Sequence, residues 1–199
     1  MAAAARVVPA VAPAAPDLGR LAAASHVPVV AQAADPGDPG ARTGAVPVAA
    51  IAAAGAVGSL VNHSEHRVTH DEAADLVARL HAVRLAAVVC AGTLDEAAAL
   101  ATLRPEFVAI EPPELIGGPV SVSTARPELV ADAVSAVRGV APATRVLCGA
   151  GIRDRRDVAR ALELGAVGIL VASAVTRAPD PRAALRELLA GFGRAATPA

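Results

Sequence analysis

The sequence predicts an α/β fold, a closed-type (β/α)₈ barrel shortened to about seven strand-helix units. Three observations carry that prediction. Seven short apolar, β-branched runs recur: Val7–Val11, Val27–Ala31, Val57–Val61, Ala86–Cys90, Phe107–Ile110, Arg145–Cys148 and Gly168–Val171. They are near-continuous rather than alternating, as strands buried on both faces are. Helical patterns lie between them, which indicates a parallel sheet. Finally, polar residues gather at the C-terminal ends of several different runs. Asn62-His63 follow the third, Glu111 the fifth, Gly149-Ala150-Gly151 the sixth and Ala172-Ser173 the seventh. A doubly wound sheet accommodates the same strand count, but chemistry concentrated at that rim favours the barrel.

The helices carry their own start and stop signals. Thr69-His70-Asp71-Glu72 reads as a capping box opening a helix with Ala73, Leu76, Val77 and Leu80 on one face. Thr93-Leu94-Asp95-Glu96 reads as a second box. Pro127 and Pro181 suit first helical positions, the latter behind the cap Asp180. Gly165 and Gly191 suit C-terminal caps. No linker interrupts the alternation, so residues 1–199 read as a single domain, with flexible ends expected at 1–5 and 191–199.

At 199 residues one domain is the natural reading, and a single core is feasible. The charge is balanced, 18 basic against 19 acidic residues, which argues against nucleic acid or an anionic membrane as partner. Two Phe and no Trp or Tyr leave little on which to stack bases. Two cysteines, Cys90 and Cys148, make no secreted-type disulfide framework, so free thiols and a cytoplasmic location are expected. The start is not read as a signal peptide, because Arg6 sits late and prolines interrupt the apolar patch. The weakly polar run Ala45–Val61 falls short of the ~20 apolar residues that a membrane helix needs. Every basic residue is arginine; the chain has no lysine.

Three blocks carry chemistry. Cys148-Gly149-Ala150-Gly151-Ile152 and Val171-Ala172-Ser173-Ala174 are successive strand-to-helix units. Glycine backbone and helix N-termini of this kind hold phosphate at the end of a barrel, although tight ligand-free turns would look similar. Ile110-Glu111-Pro112-Pro113-Glu114-Leu115-Ile116-Gly117-Gly118 puts a carboxylate at a strand end, with a proline-stiffened stem and a flexible glycine exit. That suits a hinged lid over a general base, or an ordinary loop whose Glu caps a helix. Asn62-His63-Ser64-Glu65-His66-Arg67 follows an apolar strand. The zinc patterns fail on spacing, leaving a polar turn or a His at a strand end with Ser64 and Glu65 opening a helical turn. A helix N-terminus there would hold His63 neutral.

These blocks, in this order, resemble triosephosphate isomerase in its short archaeal-type form, over about residues 6–190. The family carries blocks like NHSEHR, EPPELIG and CGAGI after its fourth, sixth and seventh strands. Val11-Ala12-Pro13 with Pro16-Asp17-Leu18 resembles its second strand and exit. Ala31-Gln32, Asp35-Pro36 and Pro39–Gly44 resemble its third strand and the loop that inserts into a partner subunit. The resemblance implies a TIM barrel that interconverts dihydroxyacetone phosphate and glyceraldehyde 3-phosphate, a cytoplasmic isomerase of glycolysis and gluconeogenesis. It implies a small triose phosphate substrate, no cofactor, no metal, and a homo-oligomer, dimer or tetramer. It makes His63 the neutral electrophile, Glu111 the base, and Glu65 the carboxylate that meets a catalytic lysine. Gly117, Gly151, Ala172 and Ser173 become the substrate phosphate-binding residues, and Thr43 a subunit-interface residue.

The chain also departs from the family pattern. The family's first strand and helix, with its Asn-x-Lys, has no counterpart, and the lid is two residues shorter than EPPELIGTGIPVS. Seven strands imply two unpaired sheet edges. Two other functions follow as alternatives: a catalytically impaired paralogue or assembly partner, and another phosphosugar enzyme on a related barrel.

Overall fold

The apolar runs pair as parallel strands in the order of the chain. In the computed structural model, which describes residues 7–118 and 120–194, the strands are β1 (Val30–Ala31), β2 (Gly58–Val61), β3 (Ala86–Ala91), β4 (Phe107–Ile110), β5 (Arg145–Cys148) and β6 (Gly168–Ile169). They form one sheet in the order β1-β2-β3-β4-β5-β6. Val11 bridges in parallel to Val29, which places the first apolar run beside β1. Val11 N–H donates to Pro28 O at 3.0 Å and its carbonyl accepts from Val30 N–H at 2.8 Å.

Side chains alternate between two cores. Leu60, Val88, Cys90 and Ala109 meet on the inner face with Phe107, Leu147 and Leu170. Their neighbours Val61, Val89, Val108, Ile110, Val146 and Cys148 face the helices in the larger cluster. Inner-face residues from β2 to β6 form a single small cluster, so the sheet is curled, with helices on its convex side. This is the architecture of a TIM barrel. Among the described residues no strand or bridge lies beyond Val11 or β6 in the sheet order.

Three strands are shorter than the apolar runs. Only Val11 of the first run pairs, where Pro9 has no N–H to give a ladder and Val8 is 70% exposed. Pro28 likewise holds the second to Val30–Ala31, and the last pairs only over Gly168–Ile169.

The helices include α1 (Leu18–Ala24), α2 (Val48–Ala53), α3 (His70–Ala82), α4 (Leu94–Ala101), α5 (Val122–Ala125), α6 (Pro127–Val140), α7 (Arg155–Glu163), α8 (Ser173–Thr176) and α9 (Pro181–Gly191). Pro127 and Pro181 open α6 and α9, and Asp180 caps the latter through Arg182 and Ala183 N–H. Gly165 follows α7 with φ +96°, a left-handed stop that glycine adopts at little cost. Gly191 differs from its expected capping role. It is buried in α9, where a Cβ would stand 2.5 Å from Val158 Cβ on α7, so it is a close-packing point between two helices. Phe192–Arg194 follow as a 3₁₀ turn. Residues 1–5 and 195–199 of the expected flexible ends lie outside the described residues. Among the described residues no helix is long and apolar enough to cross a membrane.

Candidate active site

Two strand ends bring His63 and Glu111 face to face. β2 stops at Val61 because Asn62 takes φ +62°, a left-handed conformation that Asn tolerates better than most residues. The turn redirects His63 over the rim. There its Nε2 lies 3.8 Å from Glu111 Oε2, at the end of β4.

The ring's other nitrogen fixes the tautomer. Glu65 N–H donates to His63 Nδ1 at 3.3 Å. A nitrogen that accepts a backbone N–H is unprotonated, so a neutral ring carries its proton on Nε2, toward Glu111. The expected helical turn at Ser64-Glu65 is instead a single tight turn, closed by His66 N–H on His63 O at 2.8 Å. A backbone donor, rather than a helix N-terminus, thus orients the ring. The Glu65 carboxylate itself is 84% exposed and 3.9 Å from Nδ1.

Glu111 is the opposite kind of group. It is buried, and its Oε2 finds no hydrogen-bond partner among the described residues. Burial pushes its carboxyl above the ordinary glutamate range, while His63 and the Cys90 thiol pull part of that shift back. The backbone is well held: Glu111 N–H donates to Ala91 O at 2.8 Å and Gly149 N–H to Ile110 O at 3.0 Å. Gly149 also leaves the room Glu111 needs, since a Cβ there would sit 2.4 Å from Glu111 Cγ. Both cysteines are buried free thiols, with Cys148 pushed up to about 12 by burial, so neither is a nucleophile at neutral pH.

The loop after Glu111 begins on a proline-held turn. Pro113–Leu115 form a 3₁₀ turn, and Glu114 is paired with Arg126. Gly117 is exposed with φ +67° and nothing within 4 Å of where a Cβ would stand. The far end is pinned. Ser121 and Ser123 are buried and share a hydrogen bond of 2.8 Å, and Ser123 Oγ donates to Asp157 O on α7. Gly151, φ +71°, lies under this end: a Cβ would stand 2.1 Å from Val120 O. A glycine is therefore required there by the backbone of this loop. Ala172 is exposed just ahead of α8, and Ser173 begins that helix. His66 turns away to Asp35 at 3.4 Å, and His70 opens α3, so the three histidines do not converge.

Thr43 stands apart from these residues. It is exposed in the loop between β1 and α2, which is tied to α3 by Gly37 N–H to Asp75 and by Arg79 to Asp38. Two depressions of the surface lie elsewhere, one at the N-terminal strand ends by His81, Arg84 and Glu106, the other between Gly92, Pro113 and Arg126.

The sequence model of the Triosephosphate isomerase family matches residues 1–189. The chain belongs to the triosephosphate isomerase family. It is 54% identical over 135 residues to the triosephosphate isomerase of Cenarchaeum symbiosum, covering 68% of this chain and 60% of that protein. It is 46% identical over 179 residues to that of Methanothermus fervidus, covering 90% and 81%. To that of Caldivirga maquilingensis it is 49% identical over 171 residues, covering 86% and 76%. The chain thus spans about three-fifths to four-fifths of these relatives' length. They are isomerases by name, in agreement with the resemblance first carried by the NHSEHR, EPPELIG and CGAGI blocks.

Two further residues lie beside this site: Asn62, which the sequence marks only as the residue before His63, and Glu96, which it marks only as a helix-capping glutamate. Their contacts are long-range, and no local pattern announces them.

Proposed function

We propose that the chain binds a triose phosphate and interconverts dihydroxyacetone phosphate and glyceraldehyde 3-phosphate. The observation that carries this is the convergence of the His63 Nε2 and a buried carboxylate, whose Oε2 has no partner among the described residues, from the ends of β2 and β4. A hydroxy-carbonyl pair presents a C–H and an oxygen on adjacent atoms. A base and a donor that converge can address both at once. Glu111 removes the carbon-bound proton, and the electron pair moves onto the carbonyl oxygen. His63 Nε2–H donates to that oxygen as charge develops. The hydroxyl proton of the adjacent oxygen passes to that oxygen by way of His63 Nε2, and the protonated Glu111 returns its proton to the neighbouring carbon, giving the isomer.

Gly151, Ala172 and Ser173 offer backbone amides to the substrate phosphate, and Gly117 gives the lid freedom to close over it. Glu65, exposed beside His63, is free to meet a cation. The chain has no lysine, so here the oxyanion relies on His63 and backbone donors. Loss of one such preorganised group costs about 10²–10³ in rate, and turnover of this chain is expected to be correspondingly slow. Thr43 marks the surface through which copies associate, and the enzyme acts in the cytoplasm in glycolysis and gluconeogenesis. No cofactor or metal enters the scheme.

A coupled assay of the 199-residue chain tests the reading. Turnover that disappears in Glu111→Gln supports it. A folded sample with no turnover above buffer contradicts it for this chain. For the association surface, the Thr43→Arg variant is expected to lower the solution mass to that of a monomer, and an unchanged mass would contradict that assignment.

A further inference from the structure

The glutamate of the second capping box does not cap. In α3 the box closes on itself: Thr69 Oγ1 accepts from Glu72 N–H at 3.2 Å, and Glu72 Oε2 accepts from Thr69 N–H at 2.8 Å. In α4 only the first half forms, Thr93 Oγ1 accepting from Glu96 N–H at 3.2 Å. The Glu96 carboxylate points elsewhere. Its Oε2 accepts from Gly92 N–H at 2.7 Å. Its Oε1 accepts from Asn62 Nδ2 at 3.0 Å and from Arg67 Nη2.

Those partners bracket the two functional side chains. Asn62 and Arg67 stand on either side of His63 in its own loop, and Asn62 Oδ1 also accepts from Val68 N–H at 3.3 Å, closing that loop into a ring. Asn62 Nδ2 further donates to Cys90 O at 3.0 Å, at the end of β3. Gly92 follows Ala91, whose carbonyl holds Glu111 N–H at 2.8 Å. A Cβ on Gly92 would stand 3.0 Å from Pro113 Cδ, so this turn also abuts the lid stem. One carboxylate therefore links the His63 loop to the turn on which Glu111 and its lid rest. Burial pushes Glu96 up, but Arg67, Gly92 and Asn62 outweigh it and keep the group ionised at neutral pH.

We propose that Glu96 is a positioning residue that holds His63 in register with Glu111, acting through Asn62 and Arg67 on one side and Gly92 on the other. Among the described residues its side chain bonds to neither His63 nor Glu111. The left-handed turn at Asn62 is held by its side chain, and Glu96 supplies one of its anchors. This inference rests on the reading of His63 and Glu111 as the reacting pair.

The matched variants Glu96→Gln and Glu72→Gln test it, since each removes a carboxylate from the same position of a helix's first turn. In Glu96→Gln the His63 ring resonances are expected to move or split in NMR spectra, while Glu72→Gln leaves them in place. Where turnover is measurable, Glu96→Gln is expected to lower kcat by about 10²-fold, the scale of an ångström-sized misplacement, with KM little changed. Glu96→Asp should recover part of the loss. Unmoved His63 resonances in Glu96→Gln would overturn the proposal, whether or not the chain turns over. Absent turnover in the wild type with moved resonances would sink the isomerase reading alone. If Glu96→Gln does not fold, the exposed Arg67→Met replaces it: His63 resonances that shift support the clamp, and resonances that stay refute it.

Discussion

The chain holds two helix starts written almost alike, Thr69-His70-Asp71-Glu72 and Thr93-Leu94-Asp95-Glu96, and it uses them differently. The first is a complete capping box at the surface. The second keeps the threonine's half and sends its glutamate across to Asn62, Arg67 and Gly92. The difference lies in what surrounds each helix start. Glu72 meets only its own first turn, where backbone N–H groups are the best donors on offer. Glu96 emerges between two site loops, where a guanidinium, an amide and a turn N–H compete for it. Charge-assisted partners of this kind outweigh a single backbone donor. A local motif thus fixes where a helix begins without fixing where its carboxylate goes.

The largest effect that sharpens this contrast sets its scale. Glu111→Gln is expected to lower kcat by about 10²–10⁴, the range of a lost general base, and a loss from Glu96→Gln that exceeded it would break the ranking of base over positioner. The same variant carries a stability signature. Burial raises the Glu111 pKa, so ionising it at neutral pH costs folding free energy, and the cost vanishes below the ordinary glutamate value of 4.5. Glu111→Gln should therefore melt higher than wild type at pH 7 and equally at pH 4, by calorimetry. Equal melting at both pH values would deny that the site holds a buried charge.

Next come the threonines. Thr69→Ala and Thr93→Ala each remove a cap of the same kind and should each cost about 1 kcal/mol in denaturant unfolding. Because Thr93 keeps only its half of the box, its variant should leave the Glu96 clamp and the rate intact. A kinetic defect in Thr93→Ala would blur the separation drawn between capping and positioning.

The smallest effect is in acid. Glu72 and Glu96 both have lowered pKa values, so the stability each gives is present above the ordinary glutamate value and lost as pH falls through the lowered one. Wild type minus Glu96→Gln, and wild type minus Glu72→Gln, should both shrink toward zero on titration to low pH. A difference that grew in acid would reverse the sign assigned to those contacts.

Much of this was legible in the residues themselves. The buried parallel strands announced themselves by near-continuous Val, Ile and Leu, and Thr69, Pro127 and Asp180 marked helix starts that the fold keeps. His63 and Glu111 were legible as polar residues at strand ends. What was hidden depends on contacts between distant segments. Pro9 and Pro28 shortened strands that hydrophobicity alone extended. Gly191 looked like a helix stop because the close approach of Val158 is set by how α7 and α9 pack. Gly149 stands in the block read as phosphate-turn chemistry, and only the fold shows that it clears space for the Glu111 side chain. A helix N-terminus was expected beside His63, and the fold instead sets one backbone N–H, from Glu65, on its Nδ1.

The most direct measurement of the central claim is hydrogen exchange at substrate carbon. Dihydroxyacetone phosphate incubated with the chain in D₂O should gain deuterium at the carbon that Glu111 deprotonates, read by proton NMR, and the gain should vanish in Glu111→Gln. Exchange at the buffer rate with folded wild-type protein, or equal exchange in wild type and Glu111→Gln, would contradict the account.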